Sequence, residues 1–139
     1  MAIRRESTSG WLHYFLGDFG TARDHFRRAI RLTPLDPFLA DFWSGLAMAL
    51  SFGEPPELEK ALDLVNNALQ AAPSHNSALQ GRIEALVMMV RIAEAKETAR
   101  ALLSFYPKAR ISAWRLRFPH RLAIVERMVQ LYRAAGIPE

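Results

Sequence analysis

Three phrases in this chain end alike, and the shared ending restricts what the chain can fold into. Ala29-Ile30-Arg31-Leu32-Thr33-Pro34, Ala68-Leu69-Gln70-Ala71-Ala72-Pro73 and Leu102-Leu103-Ser104-Phe105-Tyr106-Pro107 each place a proline five residues after a small or apolar residue. The last two prolines are 34 residues apart and the first two 39. Proline has no amide hydrogen to donate and pushes the residue before it out of helical geometry. Each phrase therefore reads as the stop of a helical unit, and a recurring stop at this spacing predicts like units stacked in series.

Upstream of each stop, small and apolar residues recur in register. The first unit offers Gly10, Gly17, Phe19, Ala22, Phe26, Ala29 and Pro34. The second offers Ala49, Phe52, Ala61, Val65, Ala68 and Pro73, and the third Leu79, Leu86, Ala95, Ala99, Leu102 and Pro107. Two antiparallel helices approach closely only where small side chains leave room, and large neighbours then fill the grooves. Over roughly residues 3–107 this pattern resembles the tetratricopeptide repeat family. The third unit departs from it, with Val90 at the turn glycine and Arg82-Ile83 in place of the leucine-glycine pair.

The expected architecture is all-α: a right-handed superhelical stack of three such hairpins, then a short helix and a C-terminal capping helix. The repeats cover about 3–36, 37–75 and 76–107, with 108–139 left for the tail, all in one domain. Eight helices are expected. The first runs about Thr8–Leu16 and stops at Gly17; the second, Phe19–Leu32, buries Ala22, Phe26, Ala29 and Ile30. Asp36-Pro37 opens a third helix that reaches Phe52 and Gly53, lengthened by about one turn to absorb the wider proline spacing. Pro55-Pro56 opens the fourth, whose stripe is Leu58, Ala61, Leu62, Val65, Ala68 and Leu69. Ser74 or Asn76 caps the fifth, which runs to about Val90, and Ile92–Phe105 and Ile111–Arg117 follow. The last helix, about Arg121–Ala135, carries Leu122, Val125, Val129 and Tyr132 on one face and is expected to cover the open end of the stack.

With the tail included, Leu16-Gly17-Asp18-Phe19, Leu32-Thr33-Pro34-Leu35-Asp36-Pro37 and Arg133-Ala134-Ala135-Gly136-Ile137-Pro138-Glu139 resemble the C-terminal helical-repeat region of bacterial adenylate/guanylate cyclase-domain proteins. That resemblance implies a regulatory or scaffolding module, part of a longer protein, and not cyclase activity.

Chemistry is sparse. Cysteine is absent, which removes disulfides, thiolate catalysis and Cys-ligated zinc and suits a cytoplasmic setting. His13, His25, His75 and His120 form no His-x-x-x-His pair and read as isolated surface or edge histidines. No glycine-rich phosphate loop occurs, and Glu54, Glu57 and Glu59 suit a helix N-terminus better than an active site. No enzyme, metal or cofactor is expected. Apolar runs such as Leu86–Val90 fall far short of the roughly 20 residues of a membrane span, and no apolar region follows the early arginines as a secretory signal requires.

What remains is binding. In the family that the chain resembles, the first helix of each hairpin lines a concave groove. That correspondence assigns Ser7, Trp11 and Tyr14, then Trp43, Leu46 and Leu50, then Gln80, Glu84 and Val87, as a surface for a protein or peptide partner. The competing expectation is that Trp11 and Trp43 pack between hairpins. Charge offers an alternative: residues 107–139 carry seven Lys/Arg against two acids. Arg110, Arg115, Arg117 and Arg121 interleave with Trp114 and Phe118 as a nucleic-acid surface does. A net charge of +4 and the shared helical face of Trp114 and Phe118, which favours inward packing, weigh against it. Exposed hairpin faces leave room for homo-oligomerisation.

Overall fold

In the computed structural model, described over residues 2–32, 35, 37–117 and 122–139, eight helices form a superhelical stack. They are α1 (Ala2–Phe15), α2 (Phe19–Leu32), α3 (Leu39–Phe52), α4 (Leu58–Ala71), α5 (Asn76–Met88), α6 (Ile92–Phe105), α7 (Ile111–Arg117) and α8 (Leu122–Ala134). Helices α1/α2, α3/α4 and α5/α6 are the three hairpins, and each packs on the next through α2 on α3 and α4 on α5. No described helix is long and apolar enough to cross a membrane.

The hairpins meet at glycines. Phe26 of α2 is fully buried and its ring is clasped between Gly10 of α1 and Gly45 of α3. A Cβ at Gly45 would lie 2.3 Å from the ring, and one at Gly10 would lie 2.9 Å from it. At the next junction Val65 of α4 takes the place of Phe26, and a Cβ on Gly81 of α5 would sit 3.1 Å from its Cγ1. The third unit, which offers Ile83 in the glycine register, thus makes its close approach at Gly81 instead. The expected stripes are otherwise in place: Ala22 and Ala29 of α2 are buried, as are Ala61, Leu62, Val65 and Ala68 of α4.

Three helix ends share one hydrogen-bonded turn. After α1, Asp18 N–H donates to His13 C=O at 2.9 Å and Gly17 N–H to Tyr14 C=O at 3.0 Å, with Gly17 left-handed at φ 78°. After α8, Ile137 donates to Tyr132 and Gly136 to Arg133, both at 3.0 Å, with Gly136 at φ 93°. After α5 the same pair of bonds joins Arg91 to Leu86 and Val90 to Val87, with Val90 at φ 60°. Glycine tolerates this backbone; a β-branched residue does not, at a cost of about 1–2 kcal/mol. Val90 is largely exposed and recovers little by burial. Val90→Gly should therefore stabilise the chain by about 1 kcal/mol, seen as a higher urea midpoint with unchanged slope.

Several boundaries differ from expectation for physical reasons. α1 starts six residues earlier than Thr8, because Glu6 gains partners on α2: His25 Nδ1 at 2.6 Å and Arg28 at 3.6 Å. α3 is not lengthened; at 14 residues it equals α2, α4 and α6. The wider proline spacing is taken up mainly in the approach to α3 and in the Gly53–Glu57 connection. Asp36 lies outside the described residues, and Phe38 precedes α3 without a side-chain cap. His75 rather than Ser74 or Asn76 holds the N-cap position of α5, also without a side-chain bond.

Candidate functional site

The side of the stack lined by α1, α3 and α5 is where a partner groove was expected, and the chain covers much of it with its own tail. Helix α8 packs on α5 and against α7. Its Val125, Met128, Val129 and Tyr132 are buried, as are Ala135 and Ile137 beyond it. The ring of Tyr132 lies 4.6 Å from that of Trp114 on α7, and the Arg127 guanidinium stands 4.9 Å over the Phe52 ring of α3. Ile111 N–H donates to Pro138 C=O at 2.9 Å, which ties the start of α7 to the chain's last residues. The cap thus lies along the inner side of the stack, on α5.

A polar thread runs through this apolar contact. The Tyr132 hydroxyl reaches Glu84 Oε2 and, at 3.2 Å, Gln80 Oε1; Gln80 Nε2 donates to Asn76 Oδ1 at 2.8 Å. Glu84 is fully buried, and burial pushes its carboxyl up to about 8 despite the hydrogen bond from Tyr132, which acts in the opposite sense. Tyr14 is also fully buried, and burial first, then the Glu84 charge, hold its phenol well above the usual range while Arg127 opposes them. Neither the Tyr14 hydroxyl nor Glu84 Oε1 has a hydrogen-bond partner among the described residues.

Beside α8 a cleft of about 290 Å³ stays open between α1, α3, α5 and α7. Trp11 and Phe15 form one wall, Trp114 and Arg117 another, and Asp41, Asn76, Ser77 and Gln80 supply polar atoms. Trp11 stacks on Phe15 with ring centroids 6.1 Å apart and donates its indole N–H to Asp41 Oδ2 at 3.0 Å. His75 Nε2 lies 3.8 Å from Asp41 Oδ1; burial lowers its pKa while Asp41 works against that. A second hollow of about 470 Å³ adjoins the cleft and shares Asn76, Trp114 and Arg117 with it, adding Phe105, Tyr106, Lys108 and Arg110.

Of the nine expected groove residues, the cleft unites Trp11, Tyr14 and Gln80. Glu84, Leu46 and Leu50 are buried in the main core, Val87 packs half-buried against it, and Ser7 is half-buried. Trp43 belongs to a separate cluster with Ala40, Ala68 and Ala78, between the second and third hairpins. Asp41, Asn76, Ser77, Trp114 and Arg117 were not assigned to this surface. Trp114 carried a signal, its inward face, but nothing in its spacing said which helices it would meet.

Of the expected basic residues, Arg110 and Arg117 border the second hollow beside Trp114. Arg115 pairs with Glu126 at 3.1 Å, Arg110 donates to the carbonyls of Pro107 and Ala109, and Arg117 lines the cleft. Arg121 and Phe118 lie outside the described residues. The histidines are less isolated than expected: His13 and His25 stack at 5.4 Å, with Asp18 3.4 Å from the first and Glu6 2.6 Å from the second. Among the described residues no set of three His, Asp or Glu could hold a metal ion.

Hairpins clasped at small residues and closed by shared turns invite comparison with solved structures. The chain is similar to a tetratricopeptide repeat protein from Parabacteroides merdae, with a TM-score of 0.64 over 96% of this chain at 18% identity. The fold is a tetratricopeptide stack. The chain spans about half of that protein, 49% of its length. No protein-family model matches the chain, and no curated relative does. Within the tetratricopeptide fold, Phe26 and Val65 occupy the groove-filling position between hairpins, and α8 lies on the side where α1, α3 and α5 face.

Proposed function

We propose that this chain is a protein-interaction module that takes a partner segment in the cleft between α1, α3, α5 and α7. The observation that supports this reading is the cleft itself. Four aromatic residues, Trp11, Tyr14, Phe15 and Trp114, stand around an opening whose polar atoms come from Asp41, Asn76, Ser77, Gln80 and Arg117. Aromatic anchors with a few placed polar groups are what dominate protein interfaces. About 290 Å³ suits one or two side chains of an extended segment better than a whole helix. A regulatory chain that also carries a signalling domain is the setting implied by the resemblance of Leu16–Phe19, Leu32–Pro37 and Arg133–Glu139 to cyclase-domain proteins.

Ser77 is the residue to test, because it lines the cleft and is only half-buried. A photo-crosslinker at position 77 should trap a partner segment in cells, and one at exposed Lys96 on α6 should not. With that segment as a synthetic peptide, Ser77→Trp should fill the opening and weaken binding at least tenfold, about 1.4 kcal/mol, in calorimetric titration. Equal trapping from both positions, or unchanged affinity in a folded Ser77→Trp protein, removes the cleft as the site.

A further inference from the structure

Tyr132 has a single phenolic proton and two oxygens within reach, Gln80 Oε1 and Glu84 Oε2. Both bonds are complete together when Glu84 keeps its own proton and donates it to the Tyr132 oxygen, while Tyr132 donates to Gln80. Gln80 then donates onward to Asn76, which stands on the wall of the cleft. The bonds run in one sense, from the core at Glu84, through α8, back to the open surface. We propose that this chain of bonds is a proton-operated latch: with Glu84 protonated it holds α8 on the inner face, and loss of that proton frees α8 and widens the surface offered to a partner. The inference rests on the reading of this face as the partner site.

The surroundings of Glu84 decide the direction. When the acid ionises, Tyr132 turns its proton to the carboxylate and Gln80 Oε1 loses its donor, while Glu84 Oε1 has no donor among the described residues. From α8 the node faces Tyr132 and Arg127, whose guanidinium stands over Phe52 of α3; from α1 it faces Tyr14. On the far side of α5, Arg82 is bonded to Asn66 of α4 and Thr98 of α6. Glu84 forms no ion pair within 4.0 Å among the described residues, and an unpaired buried carboxylate is strongly disfavoured. Lifting α8 returns the anion to water. Burial holds the docked carboxyl at about 8 against 4.5 for a free one, so α8 docks with uptake of a proton at every pH between. The docked state is fully favoured below the lower value and weakens as pH rises to the upper.

Amide hydrogen exchange of the full chain tests this directly. From about pH 5 to about pH 8, protection of α8 relative to α2 in the same molecule should fall by up to tenfold per pH unit, then level off. Glu84→Gln should make the ratio flat, and Glu84→Leu, which fills the site with no titrating group, should do the same if the amide variant folds poorly. A flat wild-type profile, or one that persists in either variant, overturns the latch. The measurement involves no partner, so its failure leaves the cleft reading standing, while failure at Ser77 removes the partner role of the latch and leaves only the pH-dependent docking of α8.

Discussion

Gly45→Ala should destabilise this chain by about 3 kcal/mol and lower its melting temperature by roughly 10 °C. The added methyl would sit 2.3 Å from the Phe26 ring, which has little room to retreat: on its other side the fit to Gly10 is already so close that a Cβ there would lie 2.9 Å from it. Trp11 blocks a sideways escape, edge-on with centroids 5.1 Å apart. The clash therefore has to be relieved by separating α2 from α3, which loosens the first hairpin from the second. Combining Gly45→Ala with Phe26→Leu should recover part of the loss, since the smaller side chain yields the space that the methyl needs. A double-mutant cycle by thermal and urea denaturation reads the coupling, and additive losses would mean that the ring is not clasped. Gly20→Ala is the control. A Cβ there meets nothing within 4 Å, so helix propensity alone should stabilise the chain by up to about 1 kcal/mol.

The second large effect is a pH dependence opposite in sign to that of an ordinary surface carboxylate. Glu84 has its carboxyl raised by burial from 4.5 to about 8, so the contribution of its neutral form is complete below about pH 4.5 and gone above about pH 8. Between those limits global stability should fall by on the order of 4 kcal/mol, at most about 1.4 kcal/mol per pH unit. Glu6, Asp18, Glu57, Glu94 and Glu139 behave conversely, each lowered first by a hydrogen bond, from His25, Thr21, Lys60, Arg91 and Arg133 respectively. Their contributions are lost as pH drops below the ordinary carboxylate range. Urea denaturation should therefore show maximal stability near about pH 5 and a decline toward pH 8. In Glu84→Gln the decline should disappear while the acid limb stays.

Which parts of this were legible beforehand follows from what local pattern encodes. Proline stops and spaced alanines report on single helices and on the next helix along the chain, so α2, α4 and α6 could be placed closely. The turn at Val90 was readable as a departure from glycine, but its left-handed backbone is set by the bonds from Arg91 to Leu86 and from Val90 to Val87. The amphipathic stripe of α8 showed that Val125, Val129 and Tyr132 would be covered; periodicity does not say by what. The site was less legible for the same reason. Glu84 read as a groove residue through its correspondence with the family's first helices; carboxylates are seldom fully buried without a partner, and its hydrogen-bond partner is 48 residues away. Trp43 sits in the register of a groove residue, yet its side chain packs, half-buried, against the alanines at 40, 68 and 78 between hairpins.

In an open solenoid each repeat touches only its neighbours, and folding can begin anywhere and spread. Here the final helix lies on α5, stands over α3 through Arg127 and borders the same cleft as Trp11 and Tyr14 of α1. A chain still on the ribosome, with the last helix inside the exit tunnel, would have its hairpins formed and its inner face bare. During synthesis the hairpins thus precede the helix that covers them, and the inner face is closed only once α8 has emerged.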